Sequence, residues 1–357
     1  MSYQLQVNAD PSKILYIDSR DANKYLAQKT IINSDGNEQI VDMTSYFQYQ
    51  LIEKIEVPLN QRALISLNGA TIPYSFYNIR KDINDKLFMK AEKSDGANIT
   101  PTNPMLIPEG NYTAYTLATF IETYINNNLT DASIPFKMTI RYNTDIQKYE
   151  YIMTKLDDSV TILETTLTFL FSTSPHSPHI EMGFFKNDDV HIKLPASIGG
   201  QTSSRQVDSY NVVDLNGSIH GVYVRTNLVS NGTLDTQSGT FSNILSRIPI
   251  NINAGGILFA TPNNATHRSV VDLRSIDILT IRLTDERNRL LDLNGLHFQV
   301  SISVDYLYSK KKLNVPMGSL TANNFGHSFH QLEDKPLARS VTSDKRTKIK
   351  NGDNKKK

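Results

Sequence analysis

Apolar side chains recur at every second position in several segments of this chain, and this period constrains its fold most. In residues 298–306, apolar and polar side chains alternate without a break, and residues 47–57 follow the same period less strictly. Such alternation is typical of a β-strand with one buried face. Turn residues such as Asn-Gly and Gly-Gly separate eight further candidate strands: 63–67, 87–91, 136–141, 149–154, 160–163, 219–224, 257–260 and 278–283. Many short strands at this spacing predict an all-β sandwich.

One segment departs from the two-residue period. Thr113 is a candidate N-cap, and the apolar residues that follow it recur at helical spacing: Leu117, Phe120, Ile121, Tyr124 and Ile125. This pattern predicts a single amphipathic helix over 113–126, which ends in a run of asparagines. We expect its apolar stripe to lie across the edge of the sandwich.

Charge is distributed unevenly along the chain. Residues 310–357 contain 12 Lys or Arg and 4 Asp or Glu, a net charge of +8, whereas the whole chain has a net charge of only +1. This basic segment contains few apolar residues after position 339, so we expect it to be partly disordered. It is either a solvated end or an arm that binds an acidic partner, nucleic acid or protein, without base specificity.

Composition excludes several classes of function. The chain has no cysteine, which rules out disulfides, thiol catalysis and thiolate metal sites. No stretch approaches the roughly 20 apolar residues of a membrane-spanning helix, and residues 1–10 lack the apolar core of a signal peptide. We therefore expect a soluble, non-secreted protein.

Candidate catalytic and metal-binding residues are few. His176 and His179 lie in a proline-rich stretch, which we interpret as a solvated loop whose histidines point in different directions, and His191 follows later. The adjacent carboxylate pairs lie in turn-like surroundings: Asp157 and Asp158, Asp188 and Asp189, and Asp285 and Glu286. Nucleotide-binding and serine-hydrolase motifs are absent from the sequence. We expect no enzymatic activity, no cofactor and no metal ligands.

The order of several segments resembles that of the penton and minor capsid proteins of large double-stranded DNA viruses and virophages. The segments are ILYIDSRD (14–21), the strand at 46–57, LISLNGATIPYSFYNI (64–79), IPEGNYT (107–113) before the helix, VYVRTNLV (222–229), ILSRIPI (244–250), and 278–283 running into 298–307. The resemblance covers roughly residues 14–308, with 129–210 matched least.

This resemblance implies a single jelly roll of eight antiparallel strands whose first and last strands pair. It divides the chain into five parts: an N-terminal arm with the first strand (1–45), a first part of the jelly roll that includes the helix (46–128), an insertion (129–210), a second part of the jelly roll (211–309) and a basic C-terminal arm (310–357). It also implies a structural protein of the virion capsid, made in the host cytoplasm. Its expected partners are further copies of itself, such as a pentamer, together with the major capsid protein and other minor capsid proteins.

Three alternatives stay open at this point. A carbohydrate- or receptor-binding attachment protein would display an exposed aromatic groove in the insertion. A sandwich-fold hydrolase would require two carboxylates from different strands, about 5 to 9.5 Å apart. The chain could also form two tandem β-sandwiches, divided near Ser204, instead of one jelly roll.

Overall fold

A computed structural model describes residues 12–59, 61–131, 134–157, 161–216, 219–229, 233–235, 240–261, 268–271 and 273–308. In the first part of the chain, the strands are β1 (Lys13–Asp18), β2 (Lys24–Tyr25), β3 (Gln28–Ile32), β4 (Glu38–Asp42), β5 (Tyr46–Glu56) and β6 (Gln61–Pro73). The last part contains β16 (Gly221–Thr226), β17 (Thr233–Asp235), β18 (Thr240–Ser242), β19 (Ile244–Pro249), β20 (Ile257–Ala260), β21 (Ser269–Val271), β22 (Ser275–Thr284) and β23 (Gln299–Tyr308).

Between these two parts lies a segment with its own strands and the α-helix. Its elements are β7 (Lys86–Leu87), β8 (Met89–Lys93), β9 (Asn98–Ile99), β10 (Met105–Leu106), α1 (Ala114–Asn128), β11 (Phe136–Asn143), β12 (Lys148–Lys155), β13 (Thr165–Phe169), β14 (Val190–Leu194) and β15 (Ser204–Asp208). We call residues 74–220 the insertion, because they connect β6 to β16.

Two antiparallel sheets form the sandwich. One has the order β1-β23-β6-β20, and the other has the order β19-β16-β22-β5, which β2 extends at its edge. When the eight main strands are numbered along the chain, these orders become 1-8-3-6 and 5-4-7-2, the two interleaved Greek keys of a jelly roll. The predicted all-β jelly roll is therefore confirmed. Both sheets combine strands from before and after Ser204, so the division into two tandem sandwiches is wrong.

The first and last strands pair, as the resemblance implies. Lys13 lies opposite Val304 and Asp18 lies opposite Gln299 in the antiparallel register of β1 and β23. The alternating segment at 47–57 is not this first strand, because it forms β5 in the opposite sheet, where it pairs with β22.

A hydrophobic core fills the space between the two sheets. Phe47 from one sheet and Phe298, which directly precedes β23 of the other, are both almost fully buried, and their ring centroids lie 5.7 Å apart. Ile281 and Ile302 are fully buried in the same cluster. Burial of each such side chain contributes roughly 1.5 to 3 kcal/mol, so the alternating apolar residues specify which face of each strand turns inward.

The insertion has a separate hydrophobic core. Its sheets have the orders β14-β13-β8-β9 and β11-β12-β15. Aromatic rings fill the centre: the ring centroid of Tyr151 lies 5.5 Å from that of Phe169 and 5.3 Å from that of Phe184. This cluster of buried residues runs from Ile79 to Val213, so the insertion begins well before residue 129.

The helix belongs to the insertion and not to the jelly roll. Thr113 caps it as predicted, within a capping box formed with Thr116, and its buried face joins the core of the insertion. The Asn126 side chain donates to the Met138 carbonyl and accepts from the Met138 N–H, both at 2.8 Å. The helix therefore covers the free edge of β11, where unpaired backbone groups need partners. The predicted boundary at 128/129 divides one continuous core and is replaced by boundaries near 74 and 220.

Most other predicted strands lie where the alternation places them. The segment 160–163 is an exception: Val160 lies outside the described residues, and Ile162 forms only an isolated bridge with Ser197. The strand of this region is β13, which follows at Thr165–Phe169. The basic segment 310–357 lies outside the described residues, as do residues 1–11.

Candidate functional site

The chain enters and leaves the insertion at neighbouring points, which Asn78 holds together. Its side-chain amide donates to the carbonyls of Tyr112 and Leu215, both at 2.8 Å, and its side-chain oxygen accepts from the Tyr112 N–H at 2.9 Å. Asn78 is buried, so these hydrogen bonds satisfy polar groups that water does not reach. One asparagine therefore connects three segments at the base of the insertion.

A buried network of charged side chains lies beside the points at which the chain enters and leaves the insertion. The Asp285 side chain is fully buried and follows β22 in the turn that leads back towards β23. One of its oxygens accepts from Arg80 at 3.3 Å and from Arg289 at 2.6 Å, and the other accepts from the backbone N–H groups of Arg287 and Arg289, both at 2.9 Å. Asp285 thus links the jelly roll to the first residues of the insertion.

The burial of Arg80 shows the electrostatic cost of this network. Only 9% of its side chain is exposed. Burial lowers the pKa of Arg80, and the neighbouring positive charge of Arg289 lowers it further, while Asp285 acts in the opposite direction. The guanidinium keeps its charge, and the facing carboxylate of Asp285 offsets the cost of burying that charge.

Glu181 provides a second buried carboxyl group next to this network. Asn84 donates to it at 2.5 Å through its side-chain amide, and the Asn84 side-chain oxygen accepts from the Arg80 N–H at 2.8 Å. Burial raises the pKa of Glu181 to about 7, and the hydrogen bond from Asn84 only partly opposes this rise. Glu181 therefore titrates near neutral pH, where an exposed glutamate is fully ionised. We call Arg80, Asn84, Glu181, Asp285 and Arg289 the junction cluster.

The segment that carries Glu181 is fixed by a close backbone approach. Gly183 has a φ of +76°, and a Cβ atom at this position would lie 2.6 Å from the Asn211 carbonyl oxygen and 2.7 Å from the Ser209 Oγ. The Asn211 N–H donates to the Gly183 carbonyl at 2.9 Å. Only glycine combines this backbone conformation with this contact.

A cavity of about 290 Å³ opens next to the junction cluster. Asn84 and Glu181 line it from the insertion, and Arg289 lines it from the jelly roll. His179, Lys186 and Arg287 complete its polar wall. Cationic groups thus outnumber carboxylates around this space.

Of the three histidines considered in the sequence, His179 and His191 make separate local contacts. His179 is half-buried and lines the cavity, and its Nδ1 lies 2.9 Å from the Ser177 carbonyl oxygen. The His191 Nδ1 lies 3.0 Å from the Thr168 Oγ1 on β13. Because Ser177 and Pro178 are buried, the interpretation of this stretch as a solvated loop is wrong. In the described part of the chain, no group of three or more His, Asp or Glu side chains is arranged to hold a metal ion.

The carboxylate pairs serve different local roles. Asp189 accepts from the Ser172 N–H at 3.0 Å, as expected for a loop residue. Asp285 is a turn residue, as predicted. It also accepts hydrogen bonds from Arg80 and Arg289, and the turn pattern in the sequence does not indicate these contacts. Glu286 accepts from the His220 N–H at 2.5 Å, where the chain returns from the insertion. Asp158 lies outside the described residues, whereas Asp157 is described.

Two edge strands of one sheet carry exposed aromatic residues. Tyr16 on β1 is 81% exposed, and Phe259 on β20 is 72% exposed. Within the described residues, β1 pairs with β23 alone and β20 pairs with β6 alone, so both strands keep a free edge. Free edges that carry apolar side chains are sites where another chain can add.

A second aromatic pair is exposed on the insertion. Phe185 and Tyr210 are each about half exposed, and their ring centroids lie 6.2 Å apart. Tyr210 also contacts the buried Phe184 edge-on at 5.3 Å, which holds its ring in place. Sequence reasoning did not indicate this pair, because position 210 is the last residue of the expected insertion and lies 25 positions away from 185.

Comparison with known proteins gives similarity to solved structures alone. No protein-family model matches the chain, and no curated protein sequence matches it. Among solved structures, the chain is similar to the crystal structure of the selenomethionine-labelled mavirus penton protein, with a TM-score of 0.42 and 11% sequence identity over 84% of this chain and 100% of that chain. No helix within the described ranges is long and apolar enough to cross a membrane.

Proposed function

We propose that this chain is a structural protein of an icosahedral virion, a penton or minor capsid protein that binds copies of itself and the major capsid protein. In this proposal it acts by assembly and carries out no catalysis. The observation that supports it most is the strand order 1-8-3-6 and 5-4-7-2, because the jelly roll is the architecture of many viral capsid subunits. The order of sequence segments supports the same assignment independently.

The two free edges of the β1-β23-β6-β20 sheet suit lateral association. A closed ring of identical subunits requires two different surfaces on each copy that are complementary to one another. β1 and β20 lie at opposite edges of this sheet, and each carries an exposed aromatic residue, Tyr16 or Phe259. We propose that the β1 edge of one copy faces the β20 edge of the next.

The test is the mass of the purified full-length chain in solution, measured by light scattering across a concentration series. We expect a pentamer, and we expect Phe259→Asp to shift the population towards monomer because it places a charge in an apolar contact. Ile32→Asp on the β3–β4 hairpin is the matched control, since Ile32 is 74% exposed and Phe259 is 72% exposed. A wild-type chain that stays monomeric and does not bind the major capsid protein would contradict the proposal. A ring that survives Phe259→Asp would contradict the edge assignment alone.

A second candidate function has specific support. The aromatic pair Phe185 and Tyr210 is the kind of exposed surface that an attachment protein uses to stack on a saccharide ring. The test is saccharide-array binding by the wild-type chain and by Phe185→Ala, with Tyr115→Ala as control, because Tyr115 is also exposed on the insertion. Binding that Phe185→Ala abolishes and Tyr115→Ala retains would establish this function. No binding to any saccharide would exclude saccharide recognition by this pair.

A further inference from the structure

The cavity beside the junction cluster has the chemistry of an anion site. Lys186 lines it from the insertion, and Arg287 and Arg289 line it from the turn after β22. Arg289 is already paired with Asp285. Lys186 and Arg287 make no ion pair with any carboxylate among the described residues, so the cavity has an excess of positive charge over the carboxylates that the structure describes around it.

His179 lines the same cavity as Lys186 and Arg287. Burial lowers the pKa of His179, and Lys186 and Arg287 both lower it further through their positive charges. A lowered pKa favours the neutral imidazole, whose ring nitrogens can form hydrogen bonds.

The backbone of the site is held in place before any ligand arrives. The Arg287 and Arg289 N–H groups both donate to Asp285 at 2.9 Å, which fixes the turn on which their side chains stand. Glu181, which also lines the cavity, is 3% exposed and hydrogen-bonded to Asn84. A backbone that is fixed in advance favours ligand binding because less ordering is required when the ligand enters.

We propose that this cavity binds a phosphate group, either as inorganic phosphate or as a small phosphate monoester. Arginine and lysine side chains are the protein groups that best recognise phosphate oxygens. The volume of about 290 Å³ lies just below the roughly 300 to 1,000 Å³ typical of small-molecule pockets, which fits a phosphate with a small organic group. This site uses none of the residues of the proposed subunit contact, so its test is independent of assembly.

The experiment is isothermal titration calorimetry on the full-length chain in a buffer free of phosphate, with inorganic phosphate, glycerol phosphate and chloride as titrants at matched ionic strength. We expect both phosphates to bind and chloride to give no saturable signal. Tighter binding of glycerol phosphate would identify a monoester as the ligand, whereas tighter binding of inorganic phosphate would identify the free anion.

Two variants and two controls assign the binding to the cavity. Lys186→Ala and Arg287→Ala each remove one exposed cation, so both variants keep the fold, and each should weaken phosphate binding by about tenfold or more. Lys193→Ala and Arg205→Ala remove exposed cations elsewhere on the insertion and should leave affinity within about twofold. Absence of phosphate binding by the wild-type chain would overturn the proposal. So would equal losses of affinity in the variants and in the controls.

Discussion

Glu181 gives the protein a stability that depends on pH in a direction opposite to that of most carboxyl groups. Its pKa is raised from 4.5 to about 7 in the folded chain, because burial penalises the charged form. Between these two values, the folded state keeps a proton that the unfolded state has lost. The free energy of unfolding therefore falls as the pH rises through this window. The contribution of Glu181 is fully present below about pH 4.5 and is lost by about pH 7.

The substitution Glu181→Gln removes this dependence and keeps the shape of the side chain. The glutamine oxygen still accepts from the Asn84 amide, which now donates to the carboxyl group at 2.5 Å. The rise of the Glu181 pKa from 4.5 to about 7 corresponds to roughly 3 kcal/mol in the free energy of unfolding. We expect the variant and the wild type to be equally stable near pH 4.5, and the variant to be more stable by about 3 kcal/mol above pH 7.

The assay is urea unfolding at a series of pH values in buffers free of phosphate. Far-UV circular dichroism and tyrosine fluorescence must give coincident transitions before free energies are compared, because the chain has two hydrophobic clusters. Glu53→Gln is the control, since Glu53 is exposed on β5 and its substitution should leave the pH profile unchanged. A Glu181→Gln profile parallel to that of the wild type over the whole range would refute the reasoning.

Two further predictions concern the contacts around the junction cluster, and urea unfolding measures both. Asp285→Asn should cost about 3 to 5 kcal/mol, because it leaves buried guanidinium charge uncompensated, whereas Asp35→Asn in an exposed turn should change stability by less than about 0.5 kcal/mol. Gly183→Ala should cost about 1 to 3 kcal/mol more than Gly200→Ala. Both glycines have positive φ, but only at Gly183 would the added Cβ meet a backbone oxygen, at 2.6 Å. Similar losses at Asp285 and Asp35, or at the two glycines, would contradict these assignments.

The period of the sequence located the strands because burial of alternate side chains is a local property. The segment 257–260 has the same bounds in the sequence prediction and in the structure, and 298–306 differs from β23 by only one or two residues at each end. Pairing is not a local property. β1 has a nearly continuous apolar run, and nothing within it indicates that it lies beside β23, almost 300 residues later.

The helix also shows that the sequence predicts local structure but not the contacts between distant segments. Its apolar stripe correctly identified the buried face and the N-cap, since both depend on residues within four positions of each other. The partner of that face was predicted wrongly, as the edge of the sandwich. The hydrogen bonds of Asn126 and Glu122 to the backbone of β11 fix the helix against the insertion. Nothing in the sequence around an asparagine or a glutamate on a helix indicates that its side chain makes such a contact.

The junction cluster was not predictable from the sequence for a related reason. Arg80 and Asp285 are 205 positions apart, and each looks ordinary where it stands, one beside a turn and the other within one. The available signal was weak: an arginine placed directly after the apolar and aromatic run that ends at Ile79. Such an arginine is either exposed or paired with a buried carboxylate, and only the fold identifies which carboxylate that is.

The position of the insertion allows one chain to have both candidate functions, capsid assembly and saccharide binding, and allows each to be tested separately. Asn78 holds together the two segments through which the chain enters and leaves the insertion. The insertion lies between β6 and β16, and both sheets of the jelly roll keep all their strands. No described strand of the insertion pairs with the outer edge of β1 or β20, so both edges are available for subunit contact while the insertion carries a binding surface. If both proposals hold, Phe259→Asp changes the mass of the assembly and leaves saccharide binding per chain intact, whereas Phe185→Ala does the reverse. A single variant that abolished both would show that the binding surface forms only in the assembled ring.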